Sequence, residues 1–139
     1  MKNFLIIGVG NLGERSIQSI QAGYSDANIF FSEKNKSRER YIKKTYGVEI
    51  FSDQLSIDKF DFIHISTTSS GRQEIITNYD FSELSLVLIE KPTASNLIEL
   101  MQQTSIENDK NLFVNLPRRI FPINVYLRNF ISSPFEIIV

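Results

Sequence analysis

Cysteine and tryptophan are absent from the 139 residues, and histidine occurs once. Without cysteine there is no disulfide scaffold, thiolate zinc site, iron–sulfur cluster or cysteine nucleophile, and His64 alone is too little for an imidazole metal site. No metal is expected. No apolar run approaches the roughly 18 residues that a membrane span requires, and the apolar start at Asn3–Ile7 ends in a glycine turn, not a cleavage signal. The expected address is the cytoplasm, with no membrane partner. Charge of one sign is missing too: 15 Lys and Arg face 16 Asp and Glu, for a net charge of −1. Proteins that track phosphate backbones carry a clustered basic surplus, so nucleic acid is not an expected partner. The basic run from Lys34 to Lys44 reads as a solvated helix face. What the chain does have is 42% apolar residues, among them 11 Phe and 5 Tyr, which is material for one globular core.

That apolar material alternates in kind along the chain. Short β-branched and aromatic runs at Asn3–Ile7, Asn28–Phe31, Asp61–Ser66, Leu86–Ile89 and Leu112–Asn115 are each followed by a turn signal. Such runs predict strands buried on both faces, as in a parallel sheet covered by helices. Gly13, Ile17 and Ile20 fall on one stripe of a first helix, while Tyr41, Ile42 and Thr45 make a weaker stripe in a charged second one. Leu97, Leu100, Met101 and Thr104 repeat the helical spacing after the fourth run. The expected fold is α/β, a doubly wound parallel sheet in three αβα layers. His64 reads as a hydrogen-bonded sheet residue, because its neighbours Ile63 and Ile65 face the other way, and Asp61 reads as a turn or cap.

Gly8-Val9-Gly10-Asn11-Leu12-Gly13 has the spacing G-x-G-x-x-G and lies between the first predicted strand and the first predicted helix. Each glycine has a mechanical reason there. Gly8 permits the tight turn, Gly10 admits a pyrophosphate to the backbone, and Gly13 lets the helix pack against the strand. The backbone of Asn11 and Leu12 would then present N–H groups to the phosphates at the positive end of the helix. Twenty residues beyond Gly13, at the end of the second predicted strand, Glu33 is placed to accept hydrogen bonds from an adenosine ribose. The cofactor expected is NAD or NADP, with NAD favoured: Glu33 would repel a 2′-phosphate, although Lys34 beside it would attract one.

Glu90-Lys91-Pro92 follows the fourth predicted strand directly, at the carboxyl end of the sheet where open α/β folds bind ligands. Pro92 keeps Lys91 out of the helical region, and an ammonium held there can hydrogen-bond a substrate hydroxyl and shuttle its proton. Together with the glycine loop, this segment resembles the Gfo/Idh/MocA oxidoreductase family, whose hallmark is an E-K-P tripeptide after the fifth strand. The order of motifs agrees. The family's T-P-x-x-x-H corresponds to Thr67-Thr68-Ser69-Ser70-Gly71-Arg72, in which Thr68 replaces the proline and Arg72 the histidine. Asn115-Leu116-Pro117-Arg118-Arg119-Ile120-Phe121-Pro122 is similar to the segment that leads into the family's second domain.

The resemblance implies a dinucleotide-binding Rossmann domain over 1–118. It also implies that 119–139 form a crossing helix and the first strand of a C-terminal α/β substrate domain that is truncated here. By resemblance, Lys91 is the catalytic lysine, held by Glu90 and Pro92. Cofactor contacts fall on Gly8, Gly10, Asn11, Leu12, Gly13, Glu33, Lys34, Ser66, Thr67, Thr68, Glu90, Lys91 and Arg119. The implied activity is hydride transfer between a nicotinamide and a secondary hydroxyl of a sugar, cyclitol or sugar derivative. It belongs to a longer, homo-oligomeric enzyme, and the 139 residues alone are expected to be inactive. The alternative is a dinucleotide-binding module without catalysis, or a truncated remnant.

Overall fold

A computed structural model of the chain describes residues 1–52, 56–79, 86–91 and 112–115. The elements run β1 (Asn3–Ile7), α1 (Asn11–Gly23), β2 (Asn28–Ser32), α2 (Lys36–Tyr46), β3 (Glu49–Ile50), a 3-10 turn (Ile57–Lys59), β4 (Phe62–Ile65), α3 (Ser69–Asn78), β5 (Val87–Ile89) and β6 (Leu112–Val114). All six strands join one parallel sheet in the order β3-β2-β1-β4-β5-β6. The chain steps outward from β1 to β3, then crosses back to β4 and steps outward the other way. That reversal creates a crevice above the carboxyl ends of β1 and β4, where ligands of doubly wound sheets bind.

Side-chain alternation along the strands supplies a core to each face. Phe4, Ile6, Ile29 and Phe31 pack with Ile17 and Ile20 of α1 and Ile42 of α2. Leu5, Ile7, Ile63, Ile65, Val87 and Ile89 pack on the other face with Ile76 of α3. The α1 stripe is therefore as the spacing predicts. The α2 stripe is narrower: Ile42 is its buried residue, whereas Tyr41 and Thr45 are exposed, because the charged helix touches the sheet edge along a single line.

The strand bounds differ from expectation by a residue or so. β2 extends to Ser32, and the β4 run shortens to Phe62–Ile65. Asp61 ties the starts of the central strands β1 and β4 together by accepting from the Asn3 N–H at 2.7 Å. The two-residue β3 was not predicted; it pairs its Glu49 and Ile50 with Phe30 and Phe31. The helix expected over Leu97–Thr104, Pro92, Arg118, Arg119 and the whole of 119–139 lie outside the described residues. Among the described residues no helix is long and apolar enough to cross a membrane, and no group of three or more acidic or His side chains could hold a metal.

Candidate dinucleotide site

Gly8 sits directly after β1 at φ 84°, and a Cβ there would lie 2.6 Å from Thr67 Cγ2. The left-handed turn and the closeness of the β4 end both demand glycine. At Gly13 a Cβ would lie 2.2 Å from the Gly8 carbonyl oxygen and 2.7 Å from Ser66 Oγ, so the first turn of α1 rests on the loop that precedes it. Gly10 is the opposite case. Nothing lies within 4 Å of where its Cβ would be, and as N-cap of α1 it makes no side-chain capping bond. The loop thus leaves open space where the N–H groups of the first helical turn point outward, the arrangement that accepts a phosphate. Asn11 and Leu12 complete that turn and are exposed.

Glu33 follows β2 and folds back onto the loop. Its Oε2 accepts from the Val9 N–H at 3.0 Å and its Oε1 from the Asn35 N–H at 2.9 Å. The carboxylate is thereby fixed beside Gly10 on the wall of a cavity of about 780 Å³. Across that cavity stand Ser66, Thr67, Thr68, Ser70 and Gly71, from the β4 end and the start of α3. Ser66 spends its hydroxyl on the Gly8 carbonyl, which ties β4 to the glycine turn. Thr68 caps α3 by accepting from Gly71 N–H at 3.4 Å. Arg72, where the family pattern has histidine, is buried and donates to the Thr67 carbonyl and to Ser69 Oγ, so it pins the β4–α3 turn from below.

At the end of β5 the alternation separates Glu90 from Lys91. Glu90 turns inward toward α1 and is 4% exposed, whereas Lys91 is exposed beyond the strand. His64 Nε2 lies 3.0 Å from Glu90 Oε1, and His64 Nδ1 lies 2.8 Å from Ser16 Oγ. Asn115, just after β6, donates to the same Glu90 oxygen. Burial pushes the imidazole below its ordinary value of 6.5, and the opposing hydrogen bond and charge of Glu90 do not overcome it. A neutral ring with a carboxylate at Nε2 carries its proton there, leaving Nδ1 to accept from the Ser16 hydroxyl. His64 is the hydrogen-bonded sheet residue its neighbours predict. Glu90 is held by this chain across α1, β4 and β6, and it is not among the residues that line the cavity beside Gly10.

Three residues of the site had no signal in the sequence. Arg38 of α2 donates from Nε to the Val9 carbonyl at 2.7 Å and from Nη2 to Glu14 of α1, with its guanidinium 5.1 Å over the Tyr41 ring. Glu14 also accepts from Tyr46 at 2.6 Å, and the Tyr46 hydroxyl, then the Arg38 guanidinium, hold its carboxyl below the ordinary 4.5. Glu74 of α3 meets Lys34 at 2.7 Å, and both line the cavity. These partners are 24 and 40 residues apart, so only the fold pairs them.

Residues 2–116 match the Gfo/Idh/MocA group, described as an oxidoreductase family with an NAD-binding Rossmann fold. Among curated proteins no match is found. Similar solved structures include a Gfo/Idh/MocA family oxidoreductase from Vibrio cholerae, 16% identical, with a TM-score of 0.73 over 93% of this chain and 43% of that one. Biliverdin reductase from Synechocystis sp. PCC 6803, in complex with biliverdin and NADP+, is 18% identical, with a TM-score of 0.72 over 91% of this chain and 42% of its own. The WlbA dehydrogenase of Chromobacterium violaceum, in complex with NADH and UDP-GlcNAcA, is 16% identical, with a TM-score of 0.74 over 92% of this chain and 39% of its own. The chain spans about 40% of the length of such structures.

Proposed function

Because the chain belongs to the Gfo/Idh/MocA oxidoreductase family, we propose that it binds NAD(H) in preference to NADP(H) over Gly10. As part of a longer protein, we propose, it serves hydride transfer at a secondary hydroxyl of a sugar, cyclitol or sugar derivative. The observation that carries this reading is the open space at Gly10, set between the first turn of α1 and the Glu33 carboxylate. A pyrophosphate fits the first turn, and a ribose diol fits a carboxylate already anchored by two backbone N–H groups. The preference for NAD follows from like charge, since a 2′-phosphate would have to approach Glu33.

When bound, the nicotinamide supplies the site that gives or takes the hydride. The chain's own part is to hold the dinucleotide along the strand ends and to place Lys91 where it can take the proton of a substrate hydroxyl, or return it. A sugar-like substrate is supported by the nucleotide sugar that accompanies NADH in the similar WlbA structure. The enzyme reading is preferred to a binding module without catalysis because Glu90-Lys91-Pro92 stands at the strand end, where a purely structural turn would need no ammonium.

The test is a thermal-shift titration of the chain with NAD⁺, NADH, NADP⁺ and NADPH, repeated on Gly10→Asp and Glu33→Ala. Ligand at about 100 times its dissociation constant stabilises the folded state by about 2.7 kcal/mol, a rise of several degrees in a domain of this size. The NAD pair should raise the midpoint, Gly10→Asp should abolish the rise, and Glu33→Ala should narrow the gap between NAD and NADP. No rise with any of the four nucleotides overturns the dinucleotide site.

A further inference from the structure

Two cations stand by the turn where Glu33 meets the glycine loop, Lys34 on the cavity wall and Arg38 behind the loop. Lys34 is the next residue in the chain, and Arg38 donates to the carbonyl of Val9, the residue whose N–H Glu33 holds. A cation at this corner is what accommodates a 2′-phosphate in dinucleotide domains. Here each cation already has a carboxylate from a different element. Glu74 reaches Lys34 across the cavity from α3, and Glu14 reaches Arg38 from the first turn of α1. Counting Glu33, the five side chains sum to one negative charge.

We infer that Glu74 and Glu14 are specificity-determining residues for the adenosine ribose: by engaging Lys34 and Arg38 they withhold both cations from a 2′-phosphate. The proposal rests on the dinucleotide reading and adds to it two acids outside the glycine loop and its ribose carboxylate. Glu33 alone would repel the phosphate, but two free cations beside it would offset that repulsion. With Glu74 and Glu14 in place they do not. The Lys34–Glu74 pair is the more exposed, at 83% and 55%, and so the more easily exchanged for a phosphate partner. Arg38 is held by several bonds at once, through Val9, Glu14 and the Tyr41 ring.

The experiment measures dissociation constants of the chain for NADH and NADPH by fluorescence titration at low and physiological salt. Glu74→Gln should raise the affinity for NADPH relative to NADH by up to about fivefold, the most that an exposed charge pair commands. The gain should be larger at low salt. It should vanish in the Lys34→Gln, Glu74→Gln double variant, because the gain comes from the released ammonium and not from general loss of negative charge. Glu14→Gln should act in the same direction through Arg38, with circular dichroism confirming the fold. A wild-type chain that binds NADH while neither single variant moves the ratio overturns the proposal and leaves the dinucleotide reading intact. A gain that survives removal of Lys34 also overturns the role given to Glu74. Binding of neither nucleotide by the wild type overturns the reading and the proposal together.

Discussion

A methyl group at Gly13 would come within 2.2 Å of the Gly8 carbonyl oxygen, and the atom it meets is backbone, which cannot swing aside. Gly13→Ala must therefore push α1 off the end of β1. Overpacking of this kind costs about 1–3 kcal/mol, which urea unfolding of the variant will show as a lower midpoint. Gly10→Ala separates the two functions of the loop. Its φ of −66° suits alanine and its Cβ meets nothing, so the unfolding midpoint should stay within the error of measurement. The same methyl occupies the space a pyrophosphate needs, and NADH affinity should fall at least about tenfold, or about 1.4 kcal/mol. Equal NADH affinity in Gly10→Ala and wild type would mean that no ligand approaches that face of the loop.

Elements explain what single residues cannot, and the Ser16–His64–Glu90–Asn115 chain joins α1, β4, β5 and β6. Burial lowers the His64 pKa in the fold, so an unfolded chain takes up the proton first as pH falls below about 6.5. Stability contributed by the neutral imidazole is complete above that value and is lost progressively below it. Urea unfolding between about pH 7.5 and about pH 5.5 should show stability falling on the acid side, with a slope of at most about 1.4 kcal/mol per pH unit from this group. In His64→Gln the slope should flatten. Since His64 is the single histidine, its ring signals in a proton NMR titration report the shift without assignment.

The same scale decides what could be read in advance. A strand such as Asn3–Ile7 announces itself because burial on both faces demands a continuous apolar run. Glu49 and Ile50 are exposed and join the sheet edge through backbone bonds to β2, so composition carries no trace of β3. The glycine loop and Glu33 were legible because their spacing is local. Glu14 and Glu74 were not, since their roles arise from contacts between helices and strands distant in sequence. The burial of Glu90 beside an exposed Lys91 is not legible in the tripeptide either, because the partner that holds Glu90, His64, is 26 residues away.

For the whole molecule, the consequence of that arrangement is that Glu90 is tied into the sheet while Lys91 is left exposed for the proton-transfer role proposed for it. The buried chain behind Glu90 fixes the end of β5 from within, and Lys91 projects from it beyond the strand, free to meet a second molecule. Similar structures are more than twice as long as this chain, so the proposed turnover is to be measured in the longer protein that the proposal assumes. In such a protein Lys91→Ala should lower kcat by about a hundredfold or more, the usual loss for a general acid–base group, while NADH still binds. Lys91→Arg then separates charge from proton transfer. A guanidinium keeps the positive charge and the donors but does not give up its proton in a protein. If Lys91 moves the hydroxyl proton, Lys91→Arg should restore substrate KM toward the wild-type value and leave kcat low. If Lys91→Arg instead recovers kcat, the lysine acts by charge alone, and the proton must leave by another group.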